Sequence, residues 1–119
     1  MRNMSFSLTT AQVRAQMKTF TRRMGWRFAK AGDVVQPIVK GQGLKKGEKV
    51  ERIGGPIRFT EVWRERLWWI TKAEVVREGF PDMTPIDFIE LFCKMNRCAH
   101  SDEITRIAFE YTEPVGEKP

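Results

Sequence analysis

Lys18-Thr19-Phe20-Thr21-Arg22-Arg23 places three cations and two hydroxyls within six residues. Those residue types can set a hydroxyl nucleophile beside an amine that takes its proton. A threonine hydroxyl supplies an oxygen nucleophile, which is weak until a base takes its proton. Lys18 serves as that base when neutral, and neighbouring Arg22 and Arg23 disfavour its charged form. On an extended strand Thr19, Thr21 and Arg23 share one face, while Lys18, three residues before Thr21, points away. Lys18 and Thr21 therefore converge only if Lys18 sits on a bend. The acid of interest is Glu78, in the last turn of a predicted helix, where the macrodipole disfavours a carboxylate by about 0.3–1 kcal/mol. An acid kept at such a place hints at function. Taken alone, Glu78 reads as a surface acid paired with a lysine or arginine.

The elements that must position these residues follow from pattern. Residues 4–8 alternate and read as a strand. Thr9 or Thr10 can cap a short helix reaching about Met17, with Val13 and Met17 on one face. The bend needed by Lys18 falls where that helical pattern stops. Lys18 to Arg23 is extended, Gly25 to Phe28 is a turn, and Ala31-Gly32-Asp33 turns into a strand over Val34 to Val39. Residues 40–49 form a basic loop. A further strand is expected from about Val50 to Gly54-Gly55-Pro56. Residues 57–70 are β-rich, and their alternation slips near Arg64 to Arg66, which predicts a bulge there. Thr71-Lys72-Ala73-Glu74 is a capping box with Gly79 as the stop. Thr84-Pro85 starts another helix, with Ile86, Ile89, Phe92 and Cys93 on its apolar side. Ile104 to Tyr111 is the closing strand. Residues 1–111 read as one α+β domain and residues 112–119 as a frayed polar tail.

Composition narrows the functional classes. The net charge is +6, but residues 1–77 carry 17 basic and 6 acidic side chains, against 4 and 9 in the remainder. That polarity suits an anionic or nucleotide-like partner, and equally a solvated basic face with no dedicated ligand. No apolar run approaches a membrane span, and the alternation at the N-terminus is unlike a signal peptide, so the expected compartment is the cytoplasm. Cys93, Cys98 and His100 are too few ligands for zinc, and Cys93 reads as a packed hydrophobe. Trp63, Trp68 and Trp69 are expected in the core, with Trp26 as the exception able to stack a base.

The Lys18 segment resembles the signature of ASCH domains, Gly-x-Lys-Thr-x-Thr-x-Arg. Lys18, Thr19, Thr21 and Arg23 match it position by position, and Gln16 stands at the glycine. Ala31-Gly32-Asp33-Val34 resembles that family's Gly-Asp turn. Glu78-Gly79-Phe80, followed by Met83-Thr84, resembles its acidic site before the final helix, and Ile107 to Glu110 its closing strand. The likeness spans residues 4–111. The Thr21 to Trp26 run is similar to small phage-borne or metagenomic members. The resemblance implies a small PUA-like mixed β-barrel with short flanking helices and an RNA- or nucleoside-facing cleft. It also implies an amidohydrolase that removes the acyl group from N4-acetylcytidine or related N4-acylcytosines. Thr21, Lys18 and Glu78 would then be catalytic, with Arg22, Arg23, Thr19 and Trp26 as substrate contacts and no metal or cofactor. Other members are ribonucleases or RNA-binding modules, and an RNA-binding role for the same basic cleft is the alternative expectation. The implied hydrolysis should survive EDTA unchanged. Complete loss of turnover in EDTA, restored by zinc, would refute it.

Overall fold

The longest run of buried strand residues, Ile104 to Phe109, lies in a strand paired along both of its edges. The structure, a computed structural model, describes residues 1–41 and 43–115. β5 (Glu103–Tyr111) pairs antiparallel with both β4 (Ile57–Arg66) and β2 (Phe20–Arg23). β4 pairs antiparallel with β3 (Val34–Ile38), which pairs parallel with β1 (Arg2–Ser5). The five-stranded order is β1-β3-β4-β5-β2. Among the described residues three short helices flank it: α1 (Thr10–Arg14), α2 (Lys72–Arg77) and α3 (Pro85–Asn96). The class is α+β, as expected. Among the described residues no helix is long and apolar enough to cross a membrane.

The expected barrel is not closed by a backbone ladder. The four-residue strands β1 and β2 are the two edges of the sheet. A side chain spans the gap between them instead: Arg23 Nη2 donates to the Ser5 carbonyl at 2.6 Å, and the guanidinium lies 4.8 Å over the Phe6 ring. One core cluster, which includes Met4, Phe6, Phe59, Ile107 and Phe109, draws on β1, β4 and β5. A second, with Leu67, Val75, Phe88, Ile89 and Ile104, lies among α2, α3 and the end of β5.

The caps of α2 and α3 behave as the sequence predicts, whereas Thr9, at the N-cap of α1, makes no side-chain cap bond. Thr71 and Glu74 form a full capping box for α2, and Thr84 and Asp87 form one for α3, with Pro85 in its first turn. These satisfy backbone N–H groups that the first helical turn would otherwise leave unpaired. On α3, Phe88 takes the buried place expected of Ile86, and Ile86 is exposed.

Several expectations are corrected. The strand expected from Val50 reduces to one bridge, Ile38 with Arg52, flanked by Val39 N–H to the Glu51 carbonyl and Ile53 N–H to the Pro37 carbonyl. Gly54-Gly55-Pro56 then ends the pairing. The bulge lies between Phe59 and Glu61, not at Arg64 to Arg66. Its extra residue inverts the alternation, so Thr60 and Glu61 both face out and Trp63 follows them outward. Leu67–Trp69 is a 3-10 turn rather than strand, because Leu67 is drawn into the second cluster. Trp68 and Trp69 are left 52% and 62% exposed. The tryptophans expected inside are thus at the surface, while Trp26 packs against the first cluster. Met17 is also exposed, since α1 stops at Arg14. The tail is tied at its start: Thr112 bonds the Pro56 carbonyl twice and Gln16 Nε2 donates to the Glu113 carbonyl. Residues 116–119 and Gln42, the rest of the expected tail and part of the basic loop, lie outside the described residues.

Gly79 ends α2 with φ at +105°, and a Cβ there would meet the Gln12 side chain at 3.0 Å. Gly79→Ala should therefore cost about 1–2 kcal/mol from backbone strain alone, measured by urea denaturation. Wild-type stability in that variant would show that the turn relaxes without strain.

Candidate active site

The bend that turns Lys18 inward has a definite backbone cause. Gln16 takes φ of +58°, a left-handed conformation that favours glycine. This is the position of the glycine in the resembled signature. The Gln12 carbonyl then accepts from the N–H of both Met17 and Lys18. Thr19 N–H donates to the Arg77 carbonyl, the Thr19 carbonyl accepts from Phe109 N–H, and Tyr111 Oη donates to the Lys18 carbonyl. Held from α1, α2 and β5, Lys18 has nowhere to point but inward and is 3% exposed.

Its Nζ donates to Glu78 twice, at 2.6 Å to the backbone carbonyl and at 3.1 Å to Oε1. Burial pushes the lysine below its ordinary pKa of 10.5; the Glu78 carboxylate pulls upward, Arg23 and Arg22 push down, and the net direction is down. Glu78 is the C-cap of α2 and 2% exposed. Its other oxygen, Oε2, accepts from Arg22 Nη1 at 2.9 Å. A carboxylate opposed by the helix dipole thus has a nitrogen donor on each oxygen.

Thr21 is 3% exposed, and its Oγ1 accepts from Arg23 Nε at 3.0 Å. That contact leaves the hydroxyl hydrogen free to be given away. Burial draws the Arg23 guanidinium down to about 10. Lys18, Thr21, Arg22, Arg23 and Glu78 all line one cleft of about 250 Å³, which opens between the β1 end and β2. Its opposite wall is apolar and comes from α3 and the loop before it: Phe80, Phe88, Leu91, Phe92 and Met95.

The structure brings together the three expected catalytic side chains and Arg23. Thr19 does not line the cleft; its backbone clamps the segment to α2. Trp26 borders an adjoining hollow that shares Ser5, Ser7 and Arg23 with the cleft. Arg22 lies at the cleft wall with its guanidinium wholly buried among carboxylates. Sequence reasoning missed Glu65 and Glu74, the other two acids on Arg22, and Arg106, which pairs with Glu74 and stacks between Phe20 and Trp63. One signal was available: Glu74 and Glu78 are four residues apart on one helix, which calls for a shared cation. Among the described residues no group of three or more His, Cys, Asp and Glu is gathered to hold a metal ion.

Fold and site together define a small α+β domain whose open cleft has a buried Lys–Glu–Arg network in its wall. No family model and no curated protein matches the chain. Among solved structures it is similar to a crystal structure of a protein from Enterococcus faecalis V583, described as family DUF984. The TM-score is 0.63 at 14% identity, over 98% of this chain and 85% of that one. At that identity the likeness shows the fold alone.

Because the folded-state pKa of Lys18 is lowered, the native state holds fewer protons than the unfolded state between that lowered value and 10.5. Stability contributed at this site therefore rises with pH across that window. Wild type should gain stability relative to Lys18→Met as the pH is raised toward 10.5, as followed by urea denaturation at each pH. A constant difference would mean that Lys18 titrates as a free lysine.

Proposed function

We propose that the protein is an amidohydrolase that removes the acyl group from N4-acetylcytidine or a related N4-acylcytosine nucleoside, working in the cytoplasm. The observation that carries this reading is the meeting of Thr21, Lys18 and Glu78 on one cleft, with Lys18 buried and pushed by that burial below its ordinary pKa. The cleft volume, just below the usual range for small-ligand sites, suits one base rather than a folded polymer. The apolar wall offers Phe88 and Phe92 for packing against a pyrimidine or its acyl group. The free thiols of Cys93 and Cys98, with sulfurs 3.5 Å apart, fit a reducing compartment. The likeness of Lys18 to Arg23 and of Glu78 to the ASCH signature supports the substrate class.

In the proposed reaction the Thr21 oxygen attacks the acyl carbonyl and its proton passes to the Lys18 amine. Arg23, already donating toward Thr21 Oγ1, is placed to stabilise the negative charge that develops on the carbonyl oxygen. Collapse breaks the carbon–nitrogen bond, and the Lys18–Glu78 pair returns the proton to the departing cytosine amine. Water then hydrolyses the threonine ester with the same pair as base, releasing the carboxylic acid and restoring the hydroxyl. The sequence suggests that Glu78 alone protonates the amine. With one oxygen on Lys18 and the other on Arg22, it handles protons through Lys18 instead.

The RNA-binding alternative loses part of its motivation. Lys18 and Arg22, two cations of the basic N-terminal run, are buried against carboxylates and are not offered to phosphates. The test is incubation of purified protein with N4-acetylcytidine and detection of cytidine by chromatography. Thr21→Ala should fold and lose about 10²–10⁴-fold in kcat, while Thr21→Ser keeps measurable activity. The rate should rise with pH through a pKa below 10.5 that belongs to Lys18. A folded Thr21→Ala enzyme with wild-type kcat would make a water the nucleophile, and no turnover at high enzyme concentration would favour the RNA-binding module.

A further inference from the structure

We infer that Arg22 is a positioning residue and not a substrate contact: its guanidinium fixes the Glu78 carboxylate against Lys18 and thereby helps to set the pH at which Lys18 can take a proton. This rests on the hydrolytic reading given above. The geometry leaves Arg22 little else to do. Its side chain is 0% exposed, and its two terminal nitrogens are spent on three carboxylates. Nη1 holds Glu78 Oε2 at 2.9 Å, while Nη2 lies 3.1 Å from Glu65 Oε2 and 3.2 Å from Glu74 Oε1. The remaining Nε is buried and has no acceptor among the described residues.

The arrangement is costly unless it serves Glu78. Glu74 and Glu78 are like charges one turn apart on α2, a spacing that destabilises an isolated helix. A six-residue helix has little stability of its own to set against that repulsion. Arg22 reaches across from β2 and joins both acids to Glu65 on β4. Only a fork of fixed shape can hold three acceptors in place; an ammonium is a point charge without that geometry. With Oε2 held, the other oxygen of Glu78 is aimed at Lys18 Nζ.

The charges facing Lys18 and Glu78 come from every packed element: Arg22 and Arg23 on β2, Glu65 on β4, Glu74 on α2, and Arg106 on β5, itself held by Glu74. Removing Arg22 acts on Lys18 in one direction by two routes. A nearby positive charge is lost, and the Glu78 carboxylate, no longer shared, is left wholly to Lys18. Both favour the protonated amine.

The experiment compares wild type, R22Q, R22K and E65Q by three readouts. These are kcat and KM for N4-acetylcytidine, the pH at which kcat rises, and the Lys18 ammonium titration followed by NMR of 15N-labelled lysine, which needs no substrate. Thermal melts accompany each variant. In R22Q the Lys18 titration and the rising limb should move together to higher pH. The neutral-pH rate should then fall about tenfold for each pH step of one that the limb moves, with KM within about twofold of wild type. R22K keeps the charge and loses the fork, so its limb should stay near that of wild type while kcat falls about 10- to 100-fold. E65Q removes a competitor for Arg22 and should move the titration to lower pH. It keeps the question open to decision if R22Q does not fold. A raised KM with an unmoved Lys18 titration would make Arg22 a substrate contact and overturn the inference, as would an unmoved titration in folded E65Q and R22K with normal kcat. If the titrations move as expected but wild type hydrolyses no acylcytosine, the coupling stands and the hydrolytic reading falls.

Discussion

Arg22 is the interaction on which the rest of the molecule depends. A guanidinium wholly removed from water is tolerated only when carboxylates surround it, and here three do. Those carboxylates belong to β4, to the N-terminal cap of α2 and to the C-terminal end of α2. One side chain therefore ties the helix at both ends to the sheet. Removing a single partner from such a network typically costs about 3–5 kcal/mol, because it leaves an uncompensated buried charge. A well-packed apolar substitute for the whole set could be as stable. Retaining the charges is easiest to understand if the carboxylate of Glu78 is needed where it is.

The open sheet supplies the space in which that carboxylate is useful. Had β1 and β2 paired, their ladder would have filled the gap between Ser5 and Arg23. Instead Arg23 bridges it with one nitrogen on the Ser5 carbonyl and another on the Thr21 hydroxyl. The cleft is thus an unpaired seam of the sheet, walled on the far side by α3. Two packed clusters meet there, one contributing Phe6 and the other Phe88 and Phe92. The polar groups sit between apolar walls, where their mutual interactions are stronger than in water.

The same burial removes two charges from the basic face that the sequence suggests. Seven cations precede the first acid, Asp33, which reads as a basic face. Two of them, Lys18 and Arg22, turn inward to acids that arrive more than forty residues later. The surface meanwhile carries Trp68 and Trp69, because one bulge and one 3-10 turn override the alternation of the preceding strand.

What the sequence determined by itself was local. Caps at Thr71 and Thr84 and the stop at Gly79 are set by interactions within a few residues, and residues 20–23 and 104–111 are rich in strand-forming side chains, so they could be read directly. The chemical types in Lys18, Thr21 and Glu78 were also legible, as was the need for a bend before Lys18. Tertiary structure decided the rest. Whether Lys18 meets Glu78 depends on the left-handed turn at Gln16 and on the clamp from Thr19 to Arg77, a contact between residues far apart in the chain. The face of Trp63 depends on a bulge whose position only strand pairing selects. The partners of Arg22 come from β4 and α2, and buried charge pairing is settled by which elements pack together, since its energy resides in the shared interior and not in any one segment.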